Sequence, residues 1–294
     1  MAAAPGIDAD ILSGVADDFA AKSPLGFATH EVTCGQDTVV KRFQSGARTE
    51  SQREWRALTL LARHAPGLAP APVRAHLDDG QPVVTMSRLP GEPLISEPVT
   101  DSQLDAVALA VDRLHRAIPA TVLAKLDVPW HPGKLEGKAR QWAAECNPDT
   151  LEPVTRHAYR AARAWLDTGW ARSPAASIQC PVFAQGDSYL ANYLWDGHEV
   201  RLVDFEDAGR GDRVQELVDF AEHLFNWSRG GVCAEAFLDR FDLSPSQRLR
   251  ALELRRLAAV CRMMMLLPGR PAHHRNPAGT LQRQAARVLG LLNA

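Results

Sequence analysis

Residues 185–206 hold two short signatures, Gln185-Gly-Asp187-Ser-Tyr-Leu-Ala-Asn192-Tyr-Leu-Trp195 and Leu202-Val-Asp204-Phe-Glu206. Asp187 and Asn192 stand five positions apart, and Asp204 ends an apolar run twelve positions later. Cys180-Pro-Val-Phe-Ala184 and Val200-Arg-Leu-Val-Asp-Phe205 read as a strand pair, which places Asp187 and Asn192 on a loop and Asp204 at a strand end. In-line attack of a hydroxyl on a polyphosphate needs a carboxylate that orients the hydroxyl and accepts its proton. It also needs hard oxygen ligands for Mg²⁺, because charge on the phosphoryl oxygens has to be neutralised. An Asp-x₄-Asn loop followed by a strand-end Asp offers both, with Asp187 toward the acceptor and Asn192 and Asp204 toward the metal. Either loop residue alone would read as a turn former; the set at this spacing is what points to chemistry.

Working outward, residues 27–90 read as a small sheet with one inserted helix. Val32-Thr33 and Asp37-Thr-Val-Val-Lys-Arg-Phe43 are strand-like and separated by the turn signal Cys34-Gly-Gln. A helix with Trp55, Leu58 and Leu61 on one side follows, and Pro66, Pro70 and Pro72 end it. Asp78-Asp-Gly80 is a turn signal before a further strand, Pro82-Val-Val-Thr-Met86. Residues 1–22 place Ile11, Leu12, Val15 and Phe19 at helical spacing. Past Pro90-Gly91 the pattern turns helical, over Leu104–Leu114, around Trp142, over Tyr159–Trp165, and from Val214 to Ala294 with breaks near 268–278. The expected architecture is α+β: a first lobe over 1–90, with 1–26 as a helical extension, and a larger helical lobe over 91–294.

Gly186-Asp187-x₄-Asn192-x-Leu194-Trp195, Val203-Asp204-Phe205-Glu206 and Gly211-Asp212-Arg213 resemble the aminoglycoside phosphotransferase family, small-molecule kinases with a protein-kinase-like fold. The resemblance covers roughly residues 27–225 and is most specific over 185–220. It implies a bilobal chain whose small antiparallel lobe binds nucleotide and whose helical lobe binds the acceptor. It further implies Asp187 as catalytic base, Asn192 and Asp204 as Mg²⁺ ligands, and ATP or GTP as phosphoryl donor. Val39-Val-Lys41 matches the strand lysine that contacts the α- and β-phosphates, and Glu54 matches its ion-pair partner. Glu54 is preferred over Glu50 because Glu54-Trp-Arg-Ala-Leu58 follows the family's Glu-x₃-Leu. Met86-Ser-Arg-Leu-Pro-Gly91 resembles the hinge, where the backbone of Ser87 and Leu89 would hydrogen-bond a purine. The implied partners are a nucleoside triphosphate and a small hydroxylated acceptor, with an aminoglycoside (a polycation) or another antibiotic among the candidates, and the chain a monomer or homodimer.

The sequence departs from the pattern in three places. Gln185 stands where the family usually has His, and Glu216 where it has an Asp that anchors the catalytic loop. No Gly-rich phosphate loop precedes Lys41, Gly26 and Gly35 being the only nearby glycines. That last departure supports a competing reading, a catalytically silent nucleotide-binding protein. A serine-hydrolase reading of Gly186-Asp-Ser188 fails, since the only Asp-x-x-His, Asp112 to His115, precedes the block. Other residues read as structural: Asp212 as a helix cap, His115 as a C-terminal-turn histidine favoured by the helix dipole, His273-His274 as a solvated loop, and Met263–Leu267 as core.

The 294 residues carry 33 Lys plus Arg against 35 Asp plus Glu, a net charge of −2 that argues against a dedicated nucleic-acid binder. No uncharged apolar stretch reaches membrane-spanning length. Five scattered cysteines without a Cys-x-x-Cys pair suit a reducing, cytoplasmic setting. For the acceptor, Glu206 and Asp207 are candidate ligands, with Glu216, Asp219 and Glu222 further carboxylates that a polycation would need. Against that, residues 243–294 hold nine Arg and a single acid, Glu253, which favours a neutral or anionic acceptor.

Overall fold

A computed structural model describes residues 30–78, 80–168 and 177–293, so the helix expected over 1–22, Gly26 and Asp79 lie outside the described residues. Strands β1 (Glu31–Cys34) and β2 (Thr38–Arg42) form a hairpin, and helix α1 (Arg48–His64) follows. β3 (Pro72–His76) and β4 (Val83–Ser87) complete an antiparallel sheet of order β1-β2-β4-β3. β3 is a strand that the sequence reading took for a helix-ending proline run. Pro72 is tolerated because it is the first residue of an edge strand, where a missing N–H costs no ladder bond. Central β2 puts Lys41 opposite Val32 and Val84. Helix α1 buries Ala57, Leu58 and Leu61 against this sheet. Leu58 and Leu61 are fully buried, each worth roughly 1.5–3 kcal/mol of transfer free energy.

After the hinge, β5 (Glu92–Pro93) pairs with a later strand, and helices α2 (Asp101–Ala117), α3 (Ala120–Leu123), α4 (Pro132–Ala144) and α5 (Pro153–Asp167) follow. Thr100 caps α2 reciprocally with Gln103, satisfying two otherwise orphan N–H groups. Next come β6 (Pro181–Ala184), β7 (Tyr193–Trp195), β8 (Val200–Leu202) and β9 (Gly209–Asp212). The strands expected as one pair belong to two sheets. β6 pairs with β9, whereas β8 pairs with β7 and β7 with β5. The loop from Gln185 to Asn192 therefore leaves one sheet and enters another, and Asp204 lies two residues past β8.

Helices α6 (Arg213–Glu222), α7 (Leu224–Ser228), α8 (Ala234–Leu238), α9 (Pro245–Met265), α10 (Pro271–Arg275) and α11 (Thr280–Asn293) complete the larger lobe. His273 and His274 lie on α10, not in a loop. Met263, Met264, Leu266 and Leu267 are buried as core with Tyr159, Leu166, Leu281 and Val288. A second cluster is continuous between the lobes, joining Phe43, Leu58 and Val84 to Val107, Leu114, Leu202 and Phe205. His115 is buried in α2, and burial pushes its pKa down to about 3 with help from Arg213, so it is a neutral interior residue and not a dipole-stabilised cation.

Candidate active site

Lys41 is buried, and its Nζ meets three carboxylates: Glu54 at 3.1 Å, Asp204 at 2.5 Å and Glu206 at 2.8 Å. Burial opposes the ammonium charge, but Asp204, Glu54 and Glu206 together hold the Lys41 pKa well above the usual lysine value. Glu54 is fully buried and also accepts the Phe205 N–H at 2.9 Å, so one side chain of α1 ties β2 to the Asp204 segment. Glu50, the disfavoured alternative, instead faces Arg53 at 4.0 Å. Asp204 adopts a left-handed backbone, φ 66°, the only non-glycine among the described residues to do so. A strained conformation there turns the carboxylate back toward Lys41.

Asp187 and Asn192 form the other half. The Asn192 amide donates to the Asp187 carbonyl and to Oδ2, both at 3.1 Å, leaving the Asn192 carbonyl as the group it can offer a cation. Burial and the nearby Asp204 charge push Asp187 up to about 7, against the Asn192 hydrogen bond. The loop is fixed from beneath. Glu216 on α6 accepts the Gln185 N–H at 2.7 Å and the Gly186 N–H at 3.4 Å, and the Gln185 amide donates to the Val203 carbonyl at 2.6 Å. Both substituted positions thus keep an anchoring role. Gly186, at φ 87°, packs so tightly on Asp207 that an added Cβ would sit 2.9 Å from the Asp207 Cβ.

Between the lobes lies a cavity of about 590 Å³ lined by Val32, Val39, Lys41, Met86, Leu89 and Leu194 among others, within the range of small-molecule sites. Ser87 and Leu89 both line it. The Ser87 N–H already donates to the Ala71 carbonyl at 2.8 Å, and its hydroxyl accepts the Ala71 N–H at 2.9 Å. Gly91 permits the hinge to pass β7, because an added Cβ would approach the Trp195 carbonyl carbon at 2.8 Å.

Three residues that the sequence reading did not single out help to hold the site. Arg53 donates to the Glu206 carbonyl at 2.6 Å and lies 3.5 Å from the Asp207 carboxylate; its place beside Glu54 on α1 was the available cue. His30 contacts Glu206 at 3.0 Å, accepts the Gln44 N–H at 3.2 Å and rests on Phe43. Asn226, fully buried, accepts the Leu190 N–H and donates to the Ser188 and Phe220 carbonyls. Nothing in sequence spacing marks His30 or Asn226.

The acceptor argument from charge is corrected by the fold. Glu206 faces Lys41 and His30, Glu216 accepts the Gln185 and Gly186 N–H groups, and Glu222 is fully buried against Arg255 and Arg287, each at 2.6 Å. Six of the nine C-terminal arginines answer acids elsewhere in the chain: Arg248–Asp239, Arg250–Asp212, Arg255 and Arg287 with Glu222, Arg262–Asp219 and Arg270–Glu145. Most of that excess is structural, which weakens the charge argument for an anionic acceptor.

Burial pushes Glu216 up to about 7. A carboxyl raised above its unfolded value stabilises the fold at pH below about 4.5 and loses that contribution as pH climbs toward 7, a loss of about 3 kcal/mol. Glu216→Gln keeps an acceptor oxygen without the charge. Thermal denaturation between pH 5 and 8 should show the variant gaining on wild type as pH rises; parallel profiles would refute that origin for the pH dependence.

A small sheet carrying a Lys–Glu pair, joined by a hinge to a helical lobe with an Asp-x₄-Asn loop, defines a protein-kinase-like architecture. A model of the phosphotransferase enzyme family matches residues 25–252, and the chain belongs to that family. Solved structures with the same fold include a choline/ethanolamine kinase family protein from Mesorhizobium loti, at TM-score 0.62 and 16% identity over 92% of this chain and 87% of that one. Another is aminoglycoside 2'-phosphotransferase-IIIa in its GDP complex, at TM-score 0.60 and 15% identity over 91% and 89%. Aminoglycoside phosphotransferase APH(3'')-Id from Streptomyces rimosus matches at TM-score 0.53 and 19% identity over 78% and 89%. A search of curated proteins returned no match. Among the described residues, no helix is long and apolar enough to cross a membrane.

Proposed function

We propose that this protein transfers the γ-phosphoryl group of ATP or GTP to a hydroxyl of a small molecule, with the nucleotide between a lobe ending near residue 90 and the helical lobe that follows. The observation that carries the reading is that Asn192 and Asp204 line the cavity that contains Lys41, with Asp187 hydrogen-bonded to Asn192 at 3.1 Å. Asp187 orients the acceptor hydroxyl and takes its proton. Lys41, set by Glu54, contacts the α- and β-phosphates. The hinge around Ser87–Leu89 receives the purine, with the Ser87 N–H already engaged by Ala71.

The donor set fits Mg²⁺. Asp204 and Asn192 offer only oxygen, as does Glu206 nearby, and hard oxygen ligands suit this cation rather than a thiophilic one. When bound there, Mg²⁺ would supply charge neutralisation on the phosphate oxygens. The chain itself provides positioning: Glu216, Gln185 and Asn226 hold the loop, and Arg53 and His30 hold the segment after Asp204, so the reacting groups meet without reorganisation.

Calorimetric titration of Mg·ATP and Mg·GTP, with and without Mg²⁺, tests the reading. Saturable Mg²⁺-dependent binding is expected for wild type, and its loss in Asp204→Ala. Unchanged metal dependence in that variant removes Asp204 from the site. Binding without transfer to any hydroxyl would favour the silent nucleotide-binding protein, to which the glycine-poor turn between β1 and β2 points.

A further inference from the structure

Resting on that reading of the reaction, we infer that Glu206 is a further oxygen ligand of the divalent cation beside Asp204 and Asn192, and that the Lys41 ammonium keeps the cation's place until metal and nucleotide arrive together. Carboxylate oxygens of Glu54, Asp204 and Glu206 lie within 4.8 Å of one another. Lys41 Nζ sits among them at 3.1, 2.5 and 2.8 Å, and it is the one lysine or arginine among the described residues that pairs with these three acids. His30 also touches Glu206 but adds no charge. Its Nδ1 accepts the Gln44 N–H, which leaves the ring proton on Nε2, facing the Glu206 carboxylate at 3.0 Å. Arg53 reaches the Glu206 main-chain carbonyl and the Asp207 carboxylate instead. Three carboxylates against one ammonium leave a formal excess of negative charge where burial makes such an excess costly. A divalent cation with hard oxygen ligands is the group that cancels it.

A second observation points to a ligand at the same place. Glu54 is fully buried and uses Oε2 for both Lys41 and the Phe205 N–H, while its Oε1 has no hydrogen-bond partner among the described residues. Glu54, Lys41, Asn192 and Asp204 all line the interlobe cavity. A buried carboxylate oxygen left unanswered beside that cavity marks a set of acids still short of a partner, not a finished ion pair. The backbone supports the assignment. Phe205 is fully buried with its N–H on Glu54, so Asp204 and Glu206 flank an anchored residue and both reach Lys41. Arg53 and His30 then fix Glu206 by its carbonyl and by its carboxylate, the kind of support that orients a ligating side chain.

The test is titration of the full chain with Mn²⁺, which takes the same oxygen ligands as Mg²⁺ and whose free form is counted by electron paramagnetic resonance. Without nucleotide, Lys41→Met should bind Mn²⁺ saturably and at least about tenfold more tightly than wild type, because the ammonium no longer fills the site. Adding Glu206→Gln to Lys41→Met should weaken that binding about tenfold, an effect that cannot act through Lys41. Equal Mn²⁺ affinity with and without Glu206→Gln overturns the role of Glu206; equal affinity in wild type and Lys41→Met overturns the placeholder. Thermal denaturation reports whether each variant is folded. Should Lys41→Met not fold, Glu206→Gln in the wild-type background decides: Mn²⁺ affinity in the presence of ADP should fall about tenfold, and an unchanged affinity overturns the inference. Failure of Mn·ADP to bind wild type counts against the phosphotransferase reading, while the nucleotide-free titration of Lys41→Met still decides the carboxylate site.

Discussion

Asp187→Asn should lower kcat by about 10²–10⁴-fold while nucleotide affinity stays near that of wild type. The substitution is nearly isosteric, and the new side chain keeps a carbonyl oxygen that can accept from the Asn192 amide as Oδ2 does now at 3.1 Å. Loop geometry, and with it the Asn192 carbonyl, is therefore preserved; only the proton acceptor is lost. Steady-state kinetics with any accepted hydroxyl, alongside calorimetry of Mg·ATP, separate the two effects. A pH profile adds a second readout. Asp187 is pushed up to about 7, chiefly by burial, and must be ionised to act as base, so kcat/KM for the acceptor should fall as pH drops below about 7. That limb should be absent from the variant's residual activity. Turnover within tenfold of wild type would mean that Asp187 is not the base.

The second large effect is on stability. Asp212→Ala should destabilise the protein by about 3–5 kcal/mol, a loss of roughly 10 °C in Tm. Asp212 is 2% exposed and collects five partners. It caps α6 by accepting the Val214 and Gln215 N–H groups, both at 3.1 Å, and it accepts the Gln179 and Cys180 N–H groups at 2.8 and 3.2 Å. Arg250, on α9, lies at 3.1 Å. Removing the carboxylate strips the cap, leaves two strand-entry donors unanswered, and leaves a buried guanidinium without its counter-charge. Asp212→Asn retains a capping acceptor but no charge and should fall between wild type and alanine. Denaturant unfolding decides it, and a loss below about 1 kcal/mol for alanine would show that the junction relaxes without Asp212.

The proposed catalytic constellation could be picked out in the sequence because its members lie close in the chain. Asp187, Asn192 and Asp204 fall within eighteen residues. Lys41 and Glu54 were legible through the family resemblance, the Val-Val-Lys strand end and the Glu-x₃-Leu of the following helix, both of them short local motifs. The cap at Asp212 and the buried Met263–Leu267 run are likewise local facts. β3 was missed because proline weighs against a strand in sequence, and only edge position removes the objection.

The sequence by itself determined the α+β layout, the residues of the kinase-like motifs and the type of chemistry they can perform, since each depends on spacing within one or two elements. Tertiary structure alone decided which strands pair, β6 with β9 and β8 with β7, because strand pairing is a competition among distant segments. It alone brought His30, Arg53 and Asn226 to the site, and it alone showed where the charges go. Nine C-terminal arginines look like an anion-binding surface when counted along the chain. Folded, Arg250, Arg255 and Arg287 meet Asp212 and Glu222, acids more than thirty residues away in sequence. Coulombic partnership depends on distance in space, which the order of residues does not record.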